Sequence, residues 1–144
     1  MMDYVTDKVV GDIGGGVALG SLILATRAKQ VLCIDPRMRF VADNTIRPYM
    51  IQVGLEATKR LFGVAKIFEE TDPALRLDVG VCVEVFEHVN DPEAFSELVA
   101  RKCSHAFWTT PLVAKTGKTA NAEHVAEYNK EDFLYVLGKS FDIL

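Results

Sequence analysis

A run of three glycines followed by an acid on the next strand gives this sequence its clearest chemical signal. Gly14, Gly15 and Gly16 follow a short β-branched segment, and Asp35 closes the next compact apolar segment. Glycines let the backbone approach a ligand without interference from a Cβ atom, and a helix that begins behind them offers unpaired N–H groups to an anion. An acid at the end of the following strand can accept both hydroxyls of a ribose. The pattern predicts a nucleoside-binding site.

Three predicted elements must position these residues. A β-branched run over 8–13 predicts a strand, and a compact apolar run over 31–34 predicts a second one. Between them, apolar residues recur at the i, i+3 and i+4 positions counted from Leu19, which predicts a helix over 18–28 with one buried face. Together these elements form a β-α-β unit.

Two other nucleotide-binding motifs fit the glycine run less well. A dinucleotide fingerprint needs a third glycine where Leu19 stands, which argues against an NAD-dependent dehydrogenase. A P-loop needs a lysine between its glycine and its hydroxyl residue, but Gly20 is followed directly by Ser21. A turn whose glycines serve only to pack a helix on a strand is the structural alternative that stays open.

The segment 12–21, DIGGGVALGS, resembles the first motif of class I S-adenosylmethionine-dependent methyltransferases, whose usual form is D-[IV]-G-x-G-x-G. Ala18 stands where that family more often has its third glycine. The segment 84–92, EVFEHVNDP, resembles the E-x-x-E-H-[VL]-x-D-P passage of the ubiquinone-biosynthesis O-methyltransferase type. The segment 123–133 resembles a later passage of the same group, H-x-x-E-[FY]-[ST]-x-E-E-[FL]. The three matches occur in order and span Val9 to about Leu137.

The resemblance implies S-adenosyl-L-methionine as the cofactor and assigns one set of residues to its methionine end. The backbone of 14–16, which Ile13 precedes, is expected to pass under the methionine portion. Asp12 is expected near its ammonium group, directly or through water. Glu84 and Val85, at the carboxyl end of a central strand, are expected to line the methionine and the reacting sulfur.

A second set of residues is assigned to the adenosine end by the same resemblance. Asp35 is expected to accept the ribose hydroxyls, with Pro36 and Arg37 bordering the adenosine. Glu69 or Glu70 is expected to face the adenine edge, with a narrow preference for Glu70. A solvated acidic turn is the alternative for these two acids.

Three further residues are candidates for catalysis. His88 is the candidate general base, because a near-neutral imidazole can accept a hydroxyl proton during methyl transfer; capping a helix or holding a loop is the alternative. Glu87 is expected to orient His88, or to serve a metal if the acceptor is a catechol-like diol, and a solvated surface position is its alternative. His124 is expected to contact the acceptor from a lid or to have no role. We predict no metal site, because no two of the histidines, His105 included, have ligand spacing.

Composition excludes several classes of protein. A net charge of −4 over 144 residues argues against a nucleic-acid groove, which needs clustered lysine and arginine. Three cysteines without framework or zinc spacing indicate reduced thiols. No signal-peptide pattern and no apolar run of about 20 residues occurs, so we expect a cytoplasmic protein without a membrane partner.

The alternation of predicted strands and helices indicates an α/β fold: a Rossmann-like, doubly wound, mainly parallel sheet in a single domain over 1–144. The last predicted strand begins at Phe141, so the C-terminal strands are expected to be incomplete, and an uncapped sheet edge predicts a homodimer. The remaining predicted helices cover 37–44 and 50–62, where Gly63 ends the second, and two more begin after Asp91 and after Asn129. The remaining predicted strands cover 64–68, 77–85 and 106–109, and a loop is predicted over 112–128.

The predicted function is methyl transfer from S-adenosylmethionine to a small-molecule acceptor, at oxygen. The alternative is a catalytically silent cofactor-binding module, or a fragment that acts with a partner. The identity of the acceptor does not follow from the sequence.

Overall fold

The computed structural model describes residues 1–38, 46–117 and 121–144. Five strands form one sheet in the order β3-β2-β1-β4-β5, and every neighbouring pair is parallel. Chain order reverses between β1 and β4, because the chain runs outward to β3 and then returns beside β1. The strands are β1 Val9–Ile13, β2 Gln30–Ile34, β3 Leu61–Val64, β4 Leu77–Val83 and β5 Cys103–Thr109.

Helices cover both faces of the sheet. Alternate residues of β2 enter two different apolar clusters: Val31 packs with Leu22 of α2, and Ile34 packs with Val99 of α5. This arrangement confirms the predicted α/β doubly wound class. The helices are α1 Met2–Val5, α2 Leu19–Ala25, α3 Arg47–Val53, α4 Leu55–Lys59, α5 Pro92–Lys102 and α6 Lys130–Gly138, and single 3-10 turns span Phe68–Glu70 and Phe86–His88.

The starts of α5 and α6 follow the sequence signals. Asp91 accepts a hydrogen bond from the Ala94 N–H at 3.0 Å, and Pro92 occupies the first turn, where its missing N–H costs nothing. Asn129 accepts in the same way from the Asp132 N–H at 2.8 Å. Both predicted N-caps are confirmed.

The prediction of one helix over 50–62 followed by a strand over 64–68 is wrong. The helix breaks at Gly54, whose φ of +85° favours glycine, into α3 and α4. Residues 61–64 instead form β3, because they pair in register with 31–34 of β2. Gly63 therefore lies inside a strand and does not stop a helix. The helix expected over 37–44 falls almost wholly outside the described residues.

The prediction of a strand beginning at Phe141 is also wrong, since residues 141–144, which are described, have no strand conformation. The Phe141 ring packs edge-on against Trp108 with centroids 5.9 Å apart, so burial of an aromatic ring decides its placement. β3 and β5 are the edge strands, and pairing of a second copy at an edge stays a prediction. Within the described ranges, no helix has the length and apolar character to span a membrane.

Candidate functional site

A cavity of about 800 Å³ opens at the carboxyl ends of β1, β2 and β4. This is the edge where chain order reverses between β1 and β4, the usual ligand position in open α/β sheets. Of the predicted cofactor residues, those that border the cavity are Ile13, Gly14, Asp35, Pro36, Arg37, Glu69, Glu84 and Val85. Helix α5 supplies the opposite wall through Ala94, Phe95, Leu98 and Arg101.

The glycine elbow after β1 is shaped by close contact with the strand beside it. Gly14 has a φ of +73°, and a Cβ atom placed there would lie 2.5 Å from Val85 Cγ2. Gly15 is packed from below, since its added Cβ would lie 2.6 Å from Cys33 Sγ. Gly16 has a φ of +53°, and a Cβ there would meet no described atom within 4 Å. Backbone is therefore exposed at the elbow while side chains close it underneath.

The backbone conformation of Ala18 explains why the methyltransferase motif more often has glycine at this position. Its φ of +65° and ψ of +21° place it in the left-handed region directly before α2, and it is fully buried. A non-glycine residue in that region carries a backbone strain of about 1–2 kcal/mol. The chain tolerates the departure because the Ala18 methyl group packs into the core.

Asp35 lies beside the elbow and is held there by backbone. Its Oδ2 accepts the Gly16 N–H at 3.1 Å, and its Oδ1 accepts the Arg37 N–H at 2.7 Å. The residue is 4% exposed and borders the cavity. Because a carboxylate has about four acceptor positions, each oxygen can still accept one further hydrogen bond from a ligand.

Asp12 lies beneath the elbow, behind Gly15, and does not border the cavity. Its carboxylate accepts the Ser21 hydroxyl at the start of α2. Burial raises the pKa of Asp12 above its usual value, the Ser21 hydrogen bond opposes this, and the nearby Asp35 charge adds to it. A ligand ammonium would reach this carboxylate only through a water or through movement of the elbow, so its cofactor role stays a prediction.

The two candidate acids for the adenine edge are placed differently. Glu69 borders the cavity from the Phe68–Glu70 turn. Glu70, which the sequence analysis preferred narrowly, is not among the described residues that border it. The geometry therefore favours Glu69 as the acid that can reach a bound base.

Glu84 directly follows β4 and has an unusual backbone conformation, with a φ of +54°. Its N–H donates to the Thr109 carbonyl at 3.1 Å, and its Oε1 accepts the Thr109 hydroxyl at 2.8 Å. These bonds across β4 and β5 stabilise a conformation that would otherwise be strained. Glu84 and Val85 both border the cavity, as the resemblance implies.

Glu87 is buried, 1% exposed, so the expectation of a solvated surface position is wrong. The cause is the chain segment that folds over it: the Val125 N–H donates to the Glu87 carbonyl at 2.7 Å. The carboxylate Oε2 accepts the Thr110 hydroxyl at 3.0 Å, and Oε1 lies 4.0 Å from His88 Nε2.

His88 and His124 meet beside this buried carboxylate. Their rings lie edge-to-face with centroids 4.9 Å apart, and one ligand atom from each, with one Glu87 oxygen, lie within 4.8 Å of one another. The prediction of no metal site rested on spacing along the sequence, and this grouping in space was not anticipated. Sequence spacing missed it because 36 positions separate the two histidines, which the returning segment brings together.

The tautomer of His88 follows from its partner. Its Nδ1 lies 2.7 Å from the Glu123 carbonyl oxygen, which can only accept, so Nδ1 carries the proton and Nε2 carries the lone pair. His124 has Nδ1 at 2.8 Å from a Glu127 carboxylate oxygen and Nε2 at 2.9 Å from the Asn121 amide nitrogen. His88 borders the cavity, whereas His124 lies behind it.

Two further residues at this site, Thr109 and Thr110, were not predicted from the sequence. Their hydroxyls donate to Glu84 and Glu87, which are the two acids of the E-x-x-E-H segment. The available signal was a pair of hydroxyl residues at the carboxyl end of a strand predicted next to β4. Nothing in the local pattern states which acids they contact.

Neither a family model nor a curated protein matches the chain. Solved structures do match its fold. The 1,6-didemethyltoxoflavin-N1-methyltransferase of Burkholderia thailandensis, solved with 1,6-didemethyltoxoflavin and S-adenosylhomocysteine, superposes with a TM-score of 0.62 at 18% identity over 94% of this chain and 60% of that one. The S-adenosylmethionine-dependent methyltransferase SibL, in its apo form, gives a TM-score of 0.61 at 19% identity over 96% of this chain and 45% of that one.

The [4+2]-cyclase SpnF also matches, with a TM-score of 0.68 at 13% identity over 96% of this chain and 53% of that one. This chain thus spans about half to three fifths of the length of these three proteins. The fold is that of S-adenosylmethionine-dependent methyltransferases. The likeness to the ubiquinone-biosynthesis type stays a prediction.

Proposed function

We propose that the protein binds S-adenosylmethionine and transfers its methyl group to an oxygen atom of a small-molecule acceptor. The observation that carries the proposal is the hydrogen bond from Gly16 to Asp35, which ties the glycine elbow to a buried carboxylate; Gly14 of the elbow and Asp35 both border the cavity. A volume of about 800 Å³ lies within the usual range for small-molecule and cofactor sites.

The residues around the cavity fit the parts of this cofactor. Asp35 retains acceptor capacity for the ribose hydroxyls, and Pro36 and Arg37, which border the cavity, would flank the adenosine. We expect the methionine portion to pass the elbow backbone of 14–16, of which Gly14 borders the cavity, with Asp12 beneath it for a water-mediated contact to the ammonium.

The bound cofactor supplies a methyl group that its sulfonium already activates. The chain must then hold the acceptor oxygen in line with that methyl, exclude water and accept the hydroxyl proton. His88 Nε2 carries a lone pair and belongs to a residue of the cavity wall, so it is the proposed general base. Glu87 would stabilise the imidazolium that forms, since its Oε1 lies 4.0 Å from Nε2.

A second candidate for the same step is a divalent cation held by Glu87, His88 and His124. The observation that favours it is a 1% exposed carboxylate, one oxygen of which lies with one nitrogen from each of two imidazoles within 4.8 Å of one another. One carboxylate and two imidazoles are a donor set suited to zinc, manganese or iron. A cation here would lower the pKa of a bound acceptor hydroxyl, so that its proton could pass to solvent before methyl transfer without His88 as the base. His124 would have to give up its Asn121 contact.

Methyl transfer from labelled S-adenosylmethionine to matched catechols and monophenols tests both candidates. For the general base, His88→Asn should lower kcat by about 10²–10⁴-fold while leaving the affinity for S-adenosylhomocysteine unchanged. The exposed His105→Asn is the matched control. For the cation, activity should fall on treatment with a chelator, return with metal and favour the catechol. Transfer that is insensitive to His88→Asn and to the chelator would overturn both assignments.

The alternative is a binding module without turnover. The observation that supports this alternative is the match to the [4+2]-cyclase SpnF, because it indicates that the fold hosts more than methyl transfer. S-adenosylhomocysteine binding without transfer to any member of the acceptor panel would support this alternative and contradict the methyltransferase.

We also propose a cytoplasmic location, because the cysteine thiols are free and form no disulfide. All three cysteines are free and buried. Burial raises the pKa of Cys33 to about 11 and that of Cys103 to about 12, so neither thiol forms a reactive thiolate near neutral pH. Such cysteines fit a reducing compartment.

A further inference from the structure

A lysine ammonium lies buried behind the adenosine end of the cavity. Lys102, the last residue of α5, is 4% exposed. Its Nζ donates to the Thr71 hydroxyl at 2.6 Å and to the Thr71 carbonyl at 3.1 Å. Lysine is almost never fully buried unless it is paired, so these two bonds account for the burial of the ammonium.

The contacts of Lys102 fix the Phe68–Glu70 turn. The Thr71 hydroxyl donates onward to the Phe68 carbonyl at 2.6 Å, and Lys102 Nζ also lies 5.1 Å from the centroid of the Phe68 ring, within reach of a cation–π interaction. The turn is therefore bound to the ammonium at its carboxyl end and through its aromatic residue.

This turn and α5 form two facing walls of the cavity. The turn presents Phe68 and Glu69, and α5 presents Ala94 and Leu98. Because Lys102 belongs to α5 and bonds to the end of the turn, it sets the separation of the two walls. An apolar side chain of similar length would fill the space without holding the turn.

We propose that Lys102 is a positioning residue for base recognition: by bonding Thr71 it fixes the turn that carries Glu69 against α5. The inference rests on the proposed function, since it assumes that the adenine of the cofactor lies between these walls. It concerns selectivity for the base, and Lys102 itself does not touch the ligand.

Two opposing effects act on the pKa of the Lys102 ammonium. Burial lowers the pKa of its ammonium, and the nearby Asp72 opposes that shift. Thr71 contributes two oxygen acceptors, which replace part of the lost hydration. The hydrogen bonds to Thr71 therefore stabilise the buried ammonium and fix the turn at the same time.

Calorimetric titration with S-adenosylhomocysteine and with its inosine analogue, S-inosylhomocysteine, measures base selectivity. The wild-type protein should bind the adenosine compound about tenfold or more tightly, because a site built to hydrogen-bond the amino group rejects an analogue that lacks it. Lys102→Met should reduce that ratio at least about threefold. Lys59→Met, at an exposed lysine of α4, is the matched control and should leave the ratio unchanged.

A second pair of variants separates positioning from stability. Thr71→Val removes the hydroxyl between Lys102 and the turn, whereas Thr71→Ser keeps it. Thr71→Val should lower the ratio as Lys102→Met does, Thr71→Ser should preserve it, and the double variant Lys102→Met with Thr71→Val should lose no more than either alone. This pair also serves if Lys102→Met does not fold.

The outcomes distinguish the two proposals. Absence of any S-adenosylhomocysteine binding by the wild-type protein would overturn the proposed function. Binding without base selectivity, or an unchanged ratio in folded Lys102→Met and Thr71→Val, would leave the function intact and overturn the role of Lys102.

Discussion

The backbone N–H of Gly16 donates to Asp35 Oδ2 at 3.1 Å, which ties the glycine elbow after β1 to the acid that follows β2. The Gly14 N–H makes a parallel bond to the Ile34 carbonyl at 2.8 Å. Two adjacent strand ends therefore hold each other in register at the cavity. A ligand that binds the elbow backbone and this carboxylate needs no rearrangement of either, which lowers the cost of binding.

Replacement of Asp35 by alanine should weaken binding of S-adenosylhomocysteine by about 1–3 kcal/mol, the cost of losing a charged hydrogen-bond acceptor. The elbow also loses its acceptor for the Gly16 N–H, so part of the loss comes from the elbow. Isothermal titration calorimetry measures the effect, with the exposed Asp3→Asn on α1 as the control. Equal affinities for Asp35→Ala and wild type would remove Asp35 from the site.

Gly14→Ala should destabilise the fold more than Gly16→Ala. A Cβ at Gly14 would lie 2.5 Å from Val85 Cγ2, whereas a Cβ at Gly16 would meet open space among the described atoms. Both positions have positive φ, so each substitution carries a strain of about 1 kcal/mol or more, and the clash adds to it at Gly14. Urea unfolding measures the difference. Val85→Ala in the Gly14→Ala background should recover stability, and a failure to recover would contradict the steric account.

Asp12→Asn should stabilise the protein increasingly as pH rises. Burial raises the pKa of Asp12 above 3.8, so the folded state holds this proton more tightly than the unfolded chain does. The stabilising contribution of the protonated carboxyl is present below the unfolded pKa and is lost as pH rises through the raised folded pKa. Asparagine avoids that loss and still accepts the Ser21 hydroxyl. Thermal melts from below pH 3.8 to neutral pH should show the gap widening, and a gap that narrows with rising pH would contradict the sign.

Thr110→Val should destabilise the fold by about 1–3 kcal/mol, because it leaves the buried Glu87 Oε2 without its hydroxyl donor. Thr110→Ser keeps the donor and should cost less than about 1 kcal/mol. Chemical denaturation compares the two variants at constant pH. Equal stabilities for the valine and serine variants would show that the hydroxyl does not support Glu87.

Glu69→Gln should weaken binding of S-adenosylhomocysteine several-fold, whereas Glu70→Gln should not. The reason is that, among the described residues, Glu69 borders the cavity and Glu70 does not. Both residues are exposed and lie on the same turn, so each controls for the other. Calorimetry reads both affinities. A loss confined to Glu70→Gln would restore the preference drawn from the sequence.

The parts of the fold that follow from local sequence were predictable. The apolar periodicity and the three glycines together predicted the β-α-β unit around the elbow. Asp91 and Asn129 each precede a helical pattern, and this position predicted them as N-caps. β3 was missed because Leu61 and Phe62 continue the apolar spacing of α4. Only pairing with β2, which no local pattern records, makes them a strand.

The cluster of Glu87, His88 and His124 was less predictable because contacts between distant segments build it. A glutamate after a strand is expected in solvent, and the burial of Glu87 depends on a segment nearly 40 residues later. The hydroxyl of Thr110 and the ring of His124 likewise reach Glu87 and His88 through tertiary folding. The glycine elbow and Asp35 lie within one β-α-β unit, whereas Glu87, Thr110 and His124 come from three separate segments.

Calorimetric titration of the wild-type protein with S-adenosylhomocysteine tests the central claim most directly. The account predicts saturable one-site binding, accompanied by a rise in melting temperature that grows with ligand concentration. Absence of both heat and thermal shift would contradict the assignment of the elbow and Asp35 as a cofactor site.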